Sequence, residues 1–128
     1  MADANPKVFR IFIPVSDLAA AVKFYSQLLG MEGQSIRGGR HYFDCGIILA
    51  IVENNGPPIA DHIYFSVADI EKFFERAKGL GCLESAEVHG EAAGEIVERP
   101  WGERSFYARD PFANGLCFVD EKTLFTGM

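Results

Sequence analysis

Hydrophobic residues along the chain follow a strand–helix–strands pattern. Val8–Val15 is rich in β-branched and aromatic residues and predicts a strand. After it, Ser16 or Asp17 is a candidate helix N-cap, and Gly30 suits the position after a helix C-terminus. Between them, apolar residues recur at helical spacing: Leu18, Val22, Tyr25 and Leu29. Two strand-like segments complete this first half, Arg40–Cys45 and Ile47–Glu53.

The same pattern returns after the turn-forming run Asn54–Pro58. His62–Val67 predicts a strand, and Asp69 caps a helix that ends at Gly81. The apolar face of this helix consists of Ile70, Phe73, Phe74, Ala77 and Leu80. Three further strands are predicted, at Leu83–Val88, Arg104–Arg109 and Leu116–Asp120.

The two halves are related by a shift of 52 residues. Ile13-x-Val15-x-Asp17-Leu18 becomes Phe65-x-Val67-x-Asp69-Ile70, which indicates an internal repeat. Each half predicts one strand, one helix and three strands, and neither half could bury its sheet alone. We therefore expect one α+β domain over residues 1–128, with a βαβββ module at 7–54, a linker at 55–60, a second module at 61–121 and a tail at 122–128.

Length and charge narrow the classes of function. The 128 residues and 14.1 kDa suit one compact domain. With 12 basic and 18 acidic side chains, the net charge of −6 argues against a nucleic-acid-binding protein. The longest apolar run, Ile47–Val52, is too short to span a membrane. Three cysteines in no metal-binding spacing, and no apolar leader in the first seven residues, predict a cytoplasmic protein with reduced thiols.

A βαβββ unit that occurs twice, with an aspartate capping each helix after a V-x-D turn, resembles the vicinal oxygen chelate superfamily. This group contains glyoxalases, extradiol dioxygenases, fosfomycin-resistance proteins and bleomycin-resistance proteins. The resemblance implies the glyoxalase/bleomycin resistance/dihydroxybiphenyl dioxygenase fold, in which two modules form a curved mixed sheet around a cup, often within a homodimer.

The resemblance also implies four positions for metal ligands, on the first and last strand of each module. In this chain they correspond to Arg10, Ala50, His62 and Cys117. A guanidinium group only donates hydrogen bonds and alanine offers no donor atom to a metal, whereas a divalent ion needs at least three ligands. We therefore expect no metal, no cofactor and no catalytic residue at this place.

Strand alternation predicts which side chains face the cup. Arg10 and Phe12 lie on one side of the first strand, and His62 and Tyr64 occupy the equivalent side of the fifth strand. Arg10 then either binds an anionic group of a ligand or pairs with an acidic residue in the cup. His62 either contacts a ligand or forms part of the pocket wall.

A second motif resembles one branch of this superfamily. Pro100-Trp101-Gly102, followed by Arg109-Asp110-Pro111 and Asn114, is similar to the bleomycin-resistance proteins of bacteria. Two departures from that pattern are an additional residue, Glu103, after Trp-Gly, and Gly115 in place of an apolar strand residue.

These observations predict a metal-free protein that binds a small molecule in the cleft of a homodimer, where aromatic rings stack on the ligand and acidic residues neutralise its positive charge. The expected ligand is a cationic or aromatic drug-like molecule, and the resemblance implies a role in antibiotic resistance. The predicted ligand-binding residues are Arg10, Phe12, Phe43, His62, Tyr64, Glu98, Trp101 and Cys117. The alternative is a metal-dependent lyase, isomerase or dioxygenase, in which His62 binds the metal together with His41, Glu53 or Glu98.

Overall fold

The computed structural model of the chain describes residues 7–88, without the side chain of Val88, and residues 90–126. It contains two α-helices, ten strands and one short 3₁₀ turn among these residues. The first half holds β1 (Arg10–Val15), α1 (Leu18–Leu29), β2 (Gln34–Ile36), β3 (Arg40–Asp44) and β4 (Ile48–Glu53). The second half holds β5 (His62–Val67), α2 (Ile70–Gly79), β6 (Glu87–Val88), β7 (Glu91–Ala92), β8 (Val97–Glu98), β9 (Arg104–Arg109), β10 (Gly115–Asp120) and the 3₁₀ turn Glu121–Thr123. Residues 127–128 of the predicted tail lie outside the described residues.

Both halves form a four-stranded mixed sheet with the same strand order. Sheet A runs β1-β4-β3-β2 and sheet B runs β5-β10-β9-β8. In each sheet the first and last strands of the module are parallel neighbours, and the other pairs are antiparallel. The shift of 52 residues holds for the elements themselves, since β1 and β5 begin at Arg10 and His62 and the helices begin at Leu18 and Ile70. The predicted α+β fold of two βαβββ modules is thus confirmed.

Each helix begins at the predicted aspartate. The Asp17 carboxylate accepts a hydrogen bond from the backbone N–H of Ala20, and Asp69 accepts one from Lys72. Such caps satisfy N–H groups that have no partner within the helix. Gly30 ends α1 in the left-handed region with φ of 70°, where the absence of a Cβ removes the steric cost.

The larger of two hydrophobic core clusters joins the two modules. Alternate residues of each sheet face the helices, including Ile13 and Val15 from β1 and Phe106 and Phe118 from sheet B, and all four are buried. Phe118 stacks on Phe106 with ring centroids 5.2 Å apart. The helices cover one face of each sheet, and we call the opposite face the open face.

The predicted strand Leu83–Val88 is mostly wrong. Leu83 forms only an isolated bridge with Ala108, and the strand is limited to Glu87–Val88, which pairs with Glu91–Ala92 in a small separate hairpin. The physical reason is local: the Glu84 carboxylate accepts hydrogen bonds from the next two backbone N–H groups, which turns the chain away from the sheet. The outer strand of sheet B is instead the short strand β8, and its counterpart in sheet A is β2. Neither strand was predicted.

No helix within the described residues has both the length and the apolar composition needed to cross a bilayer.

Candidate functional site

The open faces of the two sheets carry equivalent rows of side chains. In sheet A, Phe12 pairs with Ala50, which pairs with Tyr42. In sheet B, Tyr64 pairs with Cys117, which pairs with Tyr107. Each open face therefore places a small residue between two aromatic residues, as strand alternation predicted for Phe12 and Tyr64.

The open face of sheet A is exposed and basic. Phe12 is 55% exposed, and Arg10 and Arg40 are exposed beside it. The Arg40 guanidinium lies 6.0 Å from the Phe12 ring centroid, and that of Arg10 lies 5.9 Å from the ring of Tyr42. Neither arginine takes part in an ion pair among the described residues.

The His62 ring is held on the open face of sheet B. Its Nδ1 lies 3.1 Å from Oδ1 of Asp61, and its ring meets that of Tyr107 edge to face at 5.1 Å between centroids. Gly115, the residue that departs from the family pattern, is its neighbour in β10. A Cβ at Gly115 would lie only 2.6 Å from Cδ2 of His62, so the glycine leaves room for the imidazole ring.

Cys117 and Tyr107 form the buried floor beside His62. Burial raises the pKa of the Cys117 thiol to about 12, although nearby groups including Ser105 and Arg99 oppose the rise. Burial also raises the pKa of Tyr107, and that of Tyr64 to a smaller extent. The thiol and both phenols are therefore protonated at neutral pH, which makes Cys117 a weak nucleophile.

The Pro-Trp-Gly motif is the tip of the hairpin between β8 and β9. The backbone N–H of Gly102 donates to the carbonyl of Arg99, and the N–H of Arg99 donates to the carbonyl of Glu103. Pro100 suits the second position of such a turn, and Gly102 adopts φ of 97°. This turn projects Trp101 from the open face of sheet B.

Arg99 fixes the base of that hairpin. Its side chain is buried, with 2% of the residue exposed, and its Nε donates to Oγ of Ser105 at 3.0 Å. Its Nη2 donates to the carbonyl groups of Ala93, Glu95 and Ser105. These hydrogen bonds tie together the β7 region, the loop after it and β9, so the guanidinium stabilises the position of Trp101.

Beside Trp101 lies a pocket of about 470 Å³, which we call the Trp101 pocket. It is lined by Tyr64, Phe65, Ser66, Trp101, Glu103, Val119, Leu124, Phe125 and Thr126. Glu103 is the single charged residue of this lining. Its Oε1 accepts a hydrogen bond from the Trp101 indole at 2.7 Å, and its Oε2 accepts one from the backbone N–H of Phe125 at 2.9 Å.

A second hollow of about 520 Å³ runs along the edge of β5, is lined by residues from both faces of that strand, and is called the edge groove. Its lining is mainly aliphatic and aromatic and is continuous with the core, as Ile11, Leu49 and Phe118 show. His62 and Cys45 are among its polar residues. The strand β5 bonds only to β10 among the described residues, so its other edge borders this groove.

Two predicted ligand-binding residues, Phe43 and Glu98, line neither the Trp101 pocket nor the edge groove. Phe43 is a correction, because it is fully buried in the main core, 4.9 Å from the ring of His41. It follows Tyr42, so strand alternation places it on the helix side. Glu98 is exposed on β8.

Of the remaining predicted residues, Tyr64 and Trp101 line the Trp101 pocket, and His62 and Cys117 lie beside it on the same open face. Arg10 and Phe12 lie on the open face of sheet A. The wall formed by Leu124, Phe125 and Thr126 was not predicted as part of a site. The only sequence signal for this wall is the aromatic side chain of Phe125 in the tail.

The residues at the four family positions do not fit a metal centre. Arg10 is a cation and Ala50 has no donor atom, so only His62 and Cys117 remain, fewer than the three ligands that a divalent ion needs. The substitutes are no better placed: Nε2 of His41 lies 2.8 Å from the carbonyl of Glu32, and Glu53 accepts a hydrogen bond from the N–H of Leu18. Among the described residues, no three His, Cys, Asp or Glu side chains converge as metal ligands would.

Comparison with known proteins identifies the family. The model of the Glyoxalase family, described as the glyoxalase/bleomycin resistance protein/dioxygenase superfamily, matches residues 7–118. No curated protein matches the chain.

Solved structures with the same fold have differing descriptions. "Oxidase ChaP-H2" is 22% identical, with a TM-score of 0.75, over 91% of this chain and 94% of that one. A lactoylglutathione lyase from Agrobacterium tumefaciens is 23% identical, with a TM-score of 0.68, over 94% and 97%. A glyoxalase/bleomycin resistance protein from Catenulispora acidiphila DSM 44928 is 21% identical, with a TM-score of 0.66, over 88% and 96%. At such identities the likeness establishes the fold and leaves the activity open.

Proposed function

Because the chain belongs to the glyoxalase/bleomycin resistance protein/dioxygenase superfamily and its family metal positions lack suitable donors, we propose that it binds a cationic aromatic small molecule in the Trp101 pocket without chemical change. The observation that carries this proposal is the composition of the pocket wall. Besides Phe65, whose ring stacks on Phe118, the lining contains three aromatic residues, Tyr64, Trp101 and Phe125, and a single charged group, the carboxylate of Glu103.

The pocket chemistry favours an organic cation. Aromatic faces attract cations through the ring quadrupole, with indole the strongest of the three rings. Each Glu103 oxygen accepts one hydrogen bond from the protein and retains a further lone pair for a ligand. The half-exposed Tyr64 ring, at 55%, offers surface that a planar ligand would cover.

A matched pair of probes tests the preference for charge. We expect (2-naphthylmethyl)trimethylammonium to bind at least ten-fold more tightly than 2-naphthoate in isothermal titration calorimetry. Glu103→Gln should lower the affinity for the cation about ten-fold, which corresponds to about 1.4 kcal/mol. Glu98→Gln removes an equal charge outside the pocket lining and should change the affinity less than two-fold. Tighter binding of the naphthoate, or equal losses in the two variants, would contradict the proposal.

Absence of a reaction is a separate part of the proposal. The Cys117 thiol is protonated at neutral pH because of burial, so the open face of sheet B offers a weak nucleophile. After prolonged incubation with the protein, the bound naphthyl cation should be recovered with unchanged mass. A turnover product that depends on His62 and an added divalent metal would instead favour the metal-dependent enzyme.

We further propose that two copies of the chain pair their open faces, so that sheet A of one copy covers sheet B of the other. Both faces expose apolar groups: Val8, Phe9 and Phe12 are 55–66% exposed beside sheet A, and Tyr64, Leu124 and Phe125 are 48–55% exposed beside sheet B.

Solution mass tests the dimer. Light scattering coupled to gel filtration should give twice the 14.1 kDa of the chain. Phe12→Asp introduces a charge at the centre of the sheet A face and should shift the protein to a monomer, whereas Lys23→Asp on the exposed side of α1 should leave the mass unchanged. A monomeric wild-type protein would contradict this part of the proposal and leave the ligand proposal intact.

A further inference from the structure

The C-terminal segment, residues 124–126, forms one wall of the Trp101 pocket. It follows the 3₁₀ turn Glu121–Thr123 and carries two large apolar side chains, Leu124 at 48% and Phe125 at 52% exposure. When a ligand covers exposed apolar groups at the mouth of a pocket, their removal from water lowers the free energy of the complex.

Two hydrogen bonds hold this segment against the start of β9. The hydroxyl of Thr123 accepts from the backbone N–H of Arg104 at 3.0 Å and donates to the carbonyl of Asp120 at 2.8 Å. The backbone N–H of Phe125 donates to Oε2 of Glu103 at 2.9 Å. Thr123 and the segment that follows it are thus attached at two adjacent residues, Arg104 at the start of β9 and Glu103 directly before it.

One carboxylate therefore holds two walls of the pocket. Oε1 of Glu103 accepts from the indole of Trp101 while Oε2 accepts from Phe125. The family model matches residues 7–118 and ends before the segment. Glu103 is also the residue that lengthens the stretch after Trp-Gly, so both partners of this contact are features of this chain.

We infer that Phe125 determines ligand specificity, an inference that rests on the proposed function. An aromatic ligand in the Trp101 pocket contacts the Phe125 ring and the Trp101 indole at the same time. Glu103 fixes the spacing of these two rings. The segment is consequently part of the binding site. Removing it should affect both the surroundings of Trp101 and the affinity for the ligand.

Two truncations separate this inference from the proposed function. Trp101 is the single tryptophan of the chain, so its fluorescence reports the pocket without any ligand. A chain that ends at Thr123 lacks the wall, and its Trp101 emission should move to longer wavelength. A chain that ends at Thr126 retains the wall, and its emission should lie closer to that of the full chain than the emission of the chain that ends at Thr123 does. Both truncations leave the core residues in place.

Affinity for (2-naphthylmethyl)trimethylammonium gives the second readout. We expect about a ten-fold loss in the chain that ends at Thr123 and in Phe125→Ala, because one ring face is removed, and near-complete recovery in Phe125→Tyr. The urea midpoint of Phe125→Ala should match that of the wild type, since the side chain is half exposed.

Each result has a distinct meaning. Unchanged Trp101 emission after truncation at Thr123 would overturn the inference, because the segment would not form a wall in solution. Changed emission with unchanged affinity would also overturn it and leave the proposed function standing. A wild-type protein that binds none of the naphthyl probes would overturn the proposed function, and the inference with it.

Discussion

His62, at a family ligand position, is held in place by other residues of the protein. The Asp61 carboxylate at its Nδ1, the Tyr107 ring at its edge and the bare backbone of Gly115 below it fix the imidazole. The hydrogen bond to His62 also lowers the pKa of the exposed Asp61 carboxyl. These contacts lie on the open face of sheet B and give His62 a defined orientation.

Gly115→Ala should disturb this arrangement. The added Cβ would approach the His62 ring to 2.6–2.9 Å, so the ring must turn away from Tyr107. We expect a loss of about 1–3 kcal/mol in the free energy of unfolding, measured by urea denaturation. Gly79→Ala is the control: it lies in α2 with open space around the added Cβ, and it should stabilise the protein by up to about 1 kcal/mol. Equal stability of Gly115→Ala and wild type would contradict this packing.

The three cysteines differ in accessibility. Cys45 is exposed, whereas Cys82 and Cys117 are buried and burial raises their pKa values to about 11 and about 12. We expect a thiol reagent such as DTNB at pH 8 to modify one thiol per folded chain quickly, and the other two only after unfolding. Partial desolvation of the thiol and the negative charge of the neighbouring Asp44 still raise the pKa of Cys45, so the fast rate should continue to increase above pH 9. Loss of the fast phase in Cys45→Ser would verify the assignment, and fast modification of a second thiol would contradict it.

At the scale of the elements, the repeat determined what could be predicted. The shift of 52 residues located β1, β5 and both helices because their apolar spacing is long and regular. The two- and three-residue strands β2 and β8 have no such periodicity, and their pairing depends on the neighbouring strand. Phe43 was misplaced because its residue type suits both a ligand pocket and a core, and the strand register decided between them.

The helix caps are a matched pair within this repeat. Asp17→Ala and Asp69→Ala should each lower the free energy of unfolding by about 1 kcal/mol, because each removes an acceptor for a backbone N–H group in the first helical turn. Asp17→Ser and Asp69→Ser retain an acceptor and should recover most of the stability in urea denaturation. If the alanine and serine variants were equally stable, the caps would not contribute as the hydrogen bonds indicate.

At the scale of the whole molecule, one buried polar cluster connects the modules. The Asp110 carboxylate accepts hydrogen bonds from the Tyr25 hydroxyl of α1 and from the side chain of Asn114, each near 2.7–2.8 Å. Asn114 in turn donates to the carbonyl of Pro14 at the end of β1 and accepts from Ile59 in the linker. The Asp-Pro-x-x-Asn motif was recognisable in the sequence, but its partners are up to 100 residues away and only the fold brings them together.

The Trp101 pocket was also only partly predictable from the sequence. Its central residues, Tyr64 and Trp101, were predicted from strand alternation and from a motif. Phe125 joins them because the tail returns to Glu103, a contact that no local pattern in the sequence encodes. Residues on regular elements were therefore easier to place than those brought in by a single tertiary hydrogen bond.

Tyr25→Phe tests whether the polar cluster stabilises both modules together. The variant removes the donor to a buried carboxylate, so we expect a loss of about 1–3 kcal/mol in the free energy of unfolding. Because the modules share one core, urea denaturation should remain a single transition with an unchanged m-value. Tyr42→Phe makes the same chemical change on the open face of sheet A, where the residue is half-buried, and should cost less than about 0.5 kcal/mol. Two separate transitions in Tyr25→Phe would instead indicate that this hydrogen bond, and not the common core, makes the modules unfold as one.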